Sequence, residues 1–412
     1  MSRPAFARLL ATALVASVGT LAPVASASVT TATRDISFTR FEGAALATGT
    51  HRGTVATPAG LAFGSATGHR EYAGRSYERA RWNTPWQTSA FTFTELVASW
   101  QARTPGDSWL EVEVRGRNST GVTSSWDLLG RWTSGDRFVH RTTQSPQSDD
   151  LASVDVDTWK TSGLGSWQLR LSLYRKAGTT GPTVSALGAV TSRLPRVTTV
   201  SVSKPGPTVG TTLDVPSYSQ MVHTGHYPQW GGGGEAWCSP TSTSMVLGYY
   251  DALPPPRAYR FIPAGHPAPW VDYAARKTYD AAYEGTGNWP FNTAYAAPLA
   301  GHAFVTRLRS LREAETFIAA GIPLVASVSW GPGELSGAPV SSSNGHLVVI
   351  VGFTGSGDVV VNDPAAPTAA GVRHVYDRAQ FENAWLPTSG GLVYVIHDDA
   401  HPLPAAPAQA NW

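Results

Sequence analysis

The sequence predicts an all-β region followed by an α+β region. Three features carry that reading. Runs that alternate apolar and polar residues fill the first half, a stretch rich in Val, Ser, Thr, Pro and Gly interrupts the chain at Arg193–Thr212, and beyond it helix-like runs come first and strand-like runs later. With 412 residues there is ample material for a core in each part. The 41 Gly and 30 Pro are scattered, which fits many short strands and turns rather than disorder.

The first element reads as an export signal over residues 1–27. Arg3 and Arg8 give a positive start, Leu9 to Val24 an apolar stretch, and Ala25-Ser26-Ala27 a small-residue cleavage site. Thr, Ser, Gly and Pro interrupt the apolar stretch, which argues against a retained anchor, and no later segment reads as a bilayer span. The expectation is a secreted, extracellular protein with no membrane association after cleavage.

Residues 28–193 are expected to form a β-sandwich of jelly-roll type. Ser89–Trp100 alternates in part, and Trp109–Arg117 and Trp167–Tyr174 over most of their lengths, with turn residues such as Thr104-Pro105-Gly106-Asp107 between them. Of the 15 Trp, Trp100, Trp109, Trp132 and Trp167 are expected in the core; the alternative is a set of exposed Trp and Arg that binds carbohydrate or cell wall. Residues 194–212, with Lys204-Pro205-Gly206-Pro207, read as a linker, and the Pro/Ala-rich residues 400–412 as a flexible tail.

Residues 213–399 make the α+β region. Ser239–Tyr250 predicts a helix with Pro240 in its first turn. Ser310-Leu311-Arg312-Glu313 predicts a capping box opening a short amphipathic helix that Gly321 and Pro323 end, and Leu324–Ser329 then predicts a strand. His346–Phe353 and Asp358–Asn362 predict a hairpin turned by Thr354-Gly355-Ser356-Gly357.

The chemistry centres on Cys238, the single cysteine. It has no internal disulfide partner, and an unpaired thiol in an exported chain points to use of that thiol. It follows the glycine run Gly231–Gly234, a plausible source of flexible access, and opens the predicted helix, where the positive helix end stabilises a thiolate and N–H groups can hold an oxyanion. His346 opens an apolar strand and suits a proton carrier for the thiol. Asp363, which ends the next strand, can fix the imidazole tautomer. Asn362 is the rival orienter, but alternation sends the two residues to opposite faces, so only one faces His346, and Asp363 is favoured. Gln220 can offer its side-chain amide to the oxyanion.

Around these, Trp237, Trp289 and Phe291 are candidates for an apolar wall of a substrate cleft, with core packing as the alternative. His223 and His226 supply too few ligands for a metal, and Gly231–Gly234 lacks the Gly-Lys-Ser/Thr of a phosphate loop, so neither metal nor cofactor is expected. A charged fraction of 15 % and a net charge of +2 give no field suited to nucleic acid.

Taken in order, Asp214–Gln220, Trp237–Ser242 leading into Met245–Tyr250, Gly287–Asn292, Gly345–Gly352 and Val361–Pro364 resemble the papain-like cysteine peptidases of family thirty-nine, in the secreted actinobacterial branch. The resemblance covers Leu213 to Ile396. It implies a papain-like fold for this region, with Cys238 as nucleophile, His346 as base, Asp363 as orienter and Gln220 at the oxyanion hole. Ser239 stands where the exporter peptidases have Gly, and the interval from Gln220 to Cys238 is longer, so the double-glycine leader substrate of the exporters is not implied.

The expected reaction is attack of Cys238 on a peptide or amide carbonyl to give an acyl-thioester. Release by water makes a peptidase of peptide or protein substrates. Release by an amine makes a transpeptidase or transglutaminase, and cell-wall peptide is the alternative substrate. A non-catalytic surface interaction protein is the remaining alternative; it requires a buried, unreactive Cys238.

Overall fold

The computed structural model describes residues 33–144 and 146–412; the export signal expected over residues 1–27 lies outside them. Among the described residues no helix is long and apolar enough to cross a membrane.

The first region is all-β, as expected. Its strands form one hydrogen-bonded, near-barrel sheet of 13 strands rather than two separate layers. The reason is two strands of unusual length. Gln87–Arg103 pairs with Thr158–Arg175 through its first half and with Thr183–Arg193 through its second. Thr158–Arg175 leaves Gln87–Arg103 for Arg75–Asn83 and Ser108–Arg117 in its second half. Its register shifts between Lys160 and Ser166, at Gly163 and Gly165, and such a glycine-rich irregularity lets a strand bend from one layer into the next. Trp100, Trp109, Trp132 and Trp167 are all buried. The half-buried Trp86 and Trp126 carry Arg117, Arg115 and Arg170 guanidinium groups against their rings, at 3.8–5.1 Å from the centroids. Sugar stacking there would have to displace those cations.

The second region is α+β. Six antiparallel strands lie in the order 302–307, 392–397, 324–330, 343–353, 359–362, 373–376. Helices α1 (Cys238–Tyr249), α2 (Pro269–Thr278) and α3 (Trp289–Ala300) precede the sheet; α4 (Leu311–Ala319) and α5 (Arg378–Trp385) are interleaved with its strands. Alternation along the strand Ser343–Phe353 splits the core. Leu347, Val349 and Val351 share a buried cluster with Met245, Val246 and Leu247 of α1. Val348 and Ile350 share another with Phe317 of α4 and Phe381 and Trp385 of α5. The predicted hairpin is present, with Val349 opposite Asn362 and Ile350 opposite Val361.

Residues 33–412 form one compact unit. Phe291 of α3 packs its ring against Trp100 and Trp132 of the β-region, and Asp280 accepts hydrogen bonds from the Thr143 N–H and hydroxyl. Residues 194–212 are tied down along their length: the Ser203 N–H donates to Glu382, Gly206 N–H to Glu315, and Thr212 bridges Gly352.

Two local expectations are corrected. Residues 400–412 are pinned rather than loose. Asn411 is fully buried, its amide donates to the Arg307 carbonyl at 2.7 Å and accepts from Arg309 at 2.7 Å, and the Phe38 N–H donates to the Ala410 carbonyl. One side chain that satisfies buried backbone and a guanidinium outweighs the tail's loose composition. The capping box does not close either: Ser310 makes no side-chain cap, and Glu313 instead accepts from the Arg309 N–H and guanidinium.

Candidate active site

Cys238 is the first residue of α1 and is half-buried. No side chain caps that helix, so the anion-attracting end is left for the thiolate and for whatever binds beside it. The glycine run before it is packed at its end, at Gly234, while Gly232 stands exposed in open space. Gly231, Gly232 and Gly233 have positive φ, and a Cβ on Gly234 would lie 2.3 Å from the His223 carbonyl carbon.

His346 is buried near the start of its strand. Its Nε2 lies 2.7 Å from Asp363 Oδ1, which leaves Nδ1 for Cys238, a neighbour close enough to raise the ring's proton affinity. Val348 and Ile350, which alternate with His346, pack toward α4 and α5, on the face away from α1. The contact with Cys238 is possible because His346 stands at the strand's end and Cys238 at the helix's tip. The Trp330 ring covers the imidazole edge-on at 5.7 Å.

Asp363 is fully buried and fully hydrogen-bonded. Oδ1 accepts from His346 and the Ala365 N–H at 3.0 Å, and Oδ2 accepts from the Tyr376 hydroxyl at 2.8 Å. Asn362 faces elsewhere: its amide donates to the Val215 and Pro216 carbonyls and accepts from Arg373. Burial alone would lower the imidazole's proton affinity. The Asp363 charge and hydrogen bond, with the Cys238 sulfur, outweigh it and push His346 up to about 10. Burial likewise opposes ionisation of Asp363, and the His346 charge with the hydrogen bonds from His346, Ala365 and Tyr376 holds it below the ordinary carboxylate range.

Gln220 is buried, lines the same cleft as Cys238 and His346, and donates through Nε2 to the Glu235 carbonyl at 2.6 Å. The cleft has a volume of about 1310 Å³, and both regions build it. From the β-region comes Asp157, whose carboxylate accepts the Trp289 N–H at 2.9 Å and whose burial raises it to about 7.

Of the three aromatic residues proposed as a cleft wall, only Trp289 lines the cleft. Trp237 is fully buried, donates its indole N–H to the Trp230 carbonyl and packs with Val271 and Ala275. Phe291 is buried between the two regions. Trp237 faces inward because α2 covers it, and Phe291 because Trp100 and Trp132 of the β-region do. Tyr376, Trp330 and Asp157 were missed: each comes from a segment with no motif of its own.

Residues 37–192 match the Peptidase C39 N-terminal domain, and residues 212–393 match the Peptidase_C39 like family. Comparison with curated proteins gives no match. Among solved structures, a chain titled "Structure of infectious bursal disease virus Gt strain" is similar at 12 % identity and a TM-score of 0.18, over 41 % of this chain and 53 % of that one, and carries no argument. The two adjoining matches, over a Cys238–His346–Asp363 site in the second, place the chain in the peptidase C39-like family, with an actinobacterial-type N-terminal domain.

Proposed function

We propose that this chain is a secreted cysteine peptidase that hydrolyses peptide or amide bonds through Cys238, His346 and Asp363. The observation that carries the proposal is the hydrogen-bonded chain His346–Asp363–Tyr376, with Cys238 at a helix start lining the same open cleft as His346. The Cys238 thiolate attacks the carbonyl carbon, and the C–N bond breaks as His346 gives its proton to the leaving amine. Water then attacks the acyl-thioester, His346 takes its proton, and the acid and thiolate are released. Gln220 spends one amide N–H on Glu235, so the second serves the oxyanion together with the Cys238 backbone N–H. A cleft of about 1310 Å³ exceeds the roughly 300–1,000 Å³ of small-molecule pockets and suits an extended peptide.

The test is the rate of Cys238 alkylation by iodoacetamide at pH 6, compared with free glutathione and with His346→Ala. Faster labelling than glutathione that is lost in the variant, with peptide-library cleavage absent in Cys238→Ala, supports the proposal. Labelling no faster than glutathione in both proteins sinks it and leaves a peptide-binding protein.

A further inference from the structure

Away from the thiol, three imidazoles and a carboxylate converge. His223 and Asp272 are fully buried, His226 and His266 are partly buried, and one ligand atom from each lies within 4.8 Å of the other three. Asp272 stands in the first turn of α2, His266 just before that helix, and His223 and His226 on the segment after Gln220.

The hydrogen bonds available do not satisfy this cluster. His266 Nδ1 lies 2.9 Å from the Pro267 carbonyl, which can only accept, so a neutral His266 carries its lone pair on Nε2. That lone pair faces His226 Nε2 at 2.9 Å, while His226 Nδ1 faces Asp272 Oδ1, also at 2.9 Å. One proton on a neutral His226 cannot serve both contacts. His223 Nδ1 and Asp272 Oδ2 are 2.9 Å apart, yet neither has an aligned hydrogen bond, and His223 Nε2, equally buried, has no partner. Protonating His226 would repair its own two contacts and leave His223 and Asp272 Oδ2 unsatisfied. A cation that takes one lone pair from each residue removes the His226–His266 conflict and engages Asp272 Oδ2 and one His223 nitrogen, leaving the other to carry the ring proton.

We infer that His223, His226, His266 and Asp272 form a binding site for a divalent transition-metal ion of the zinc class. Three imidazoles select against calcium and magnesium, and four protein donors suit a closed tetrahedral site with no open position for substrate. The carbonyl on His266 Nδ1 is the outer partner that orients a metal-bound imidazole. The ion's role is structural. The His223 ring lies 6.1 Å from Trp237, the residue before Cys238, and the His223 N–H donates to the Gln220 carbonyl. An ion here fastens the segment that carries the oxyanion amide and leads into the nucleophile onto α2.

The experiment uses the untagged full chain, stripped with a chelator and titrated with Co2+, with zinc content of the purified protein measured in parallel. One zinc per chain and the visible bands of tetrahedral cobalt are expected. Cys238→Ser should retain both, and His266→Ala and Asp272→Asn should weaken ion binding by about a hundredfold or more. His266 is partly exposed in a loop, so its variant reads the site even if Asp272→Asn does not fold. Failure of the wild type to take up Co2+ in excess, or loss of the cobalt bands in Cys238→Ser, overturns the inference.

Discussion

Asp363 and Asp272 are both fully buried carboxylates that face imidazoles, and they are treated in opposite ways. Asp363 has every oxygen engaged by protons: the His346 ring, the Ala365 N–H and the Tyr376 hydroxyl. Asp272 has one oxygen without an aligned partner and stands among three imidazoles whose nitrogens outnumber the protons that could join them. A closed network holds one ring in one tautomer, which proton transfer requires. An open network buried in protein is unstable unless something positive completes it. On the two readings proposed above, the same residue pair serves orientation in one place and ion capture in the other.

The sharpest way to break this comparison is to cross the two sites. Cys238→Ala and His346→Ala should each lower peptide hydrolysis by about 10⁴-fold or more and leave ion uptake unchanged. Asp272→Asn should lose ion uptake yet keep His346-dependent labelling of Cys238. Turnover kinetics and cobalt titration on the same preparations check both, and a single variant that abolishes both readouts while folded would merge the sites. Next, Asp363→Asn should cost about 10³-fold in kcat with little change in KM, because the neutral amide can settle the wrong imidazole tautomer. Tyr376→Phe should cost about tenfold in kcat, equivalent to about 1.4 kcal/mol, by leaving Asp363 Oδ2 without its donor.

A separate effect is on stability against pH. His346 in the folded chain is raised from 6.5 to about 10, so the folded state holds a proton that the unfolded chain gives up earlier. Its contribution is whole below about 6.5 and is lost as pH rises toward 10. Melting curves of wild type should therefore fall more between pH 7 and 10 than those of His346→Gln; parallel curves would remove the charged-pair reading.

Much of the candidate site's geometry was legible in the sequence. Cys238 at a helix start, His346 opening a strand and Asp363 ending its hairpin partner are local statements, and a helix and a hairpin carry local signals strong enough to read. The choice of Asp363 over Asn362 was legible for the same reason, since pleat alternation is a property of the strand alone. Trp237 and Phe291 were misread because an aromatic residue beside a motif carries no signal of which way it faces. Asn411 was misread because composition says nothing about a single buried amide.

The sequence by itself determined the candidate thiol, the order of the candidate site and the division into β-rich and α+β regions, because these rest on periodicity and on residue chemistry. Only the tertiary structure decided that Tyr376 completes Asp363, that Asp157 of the β-region reaches the cleft, and that His266 and Asp272 join His223 and His226. Those partners come from segments far apart in the chain, and packing of the whole core is what brings their side chains within a hydrogen bond's length.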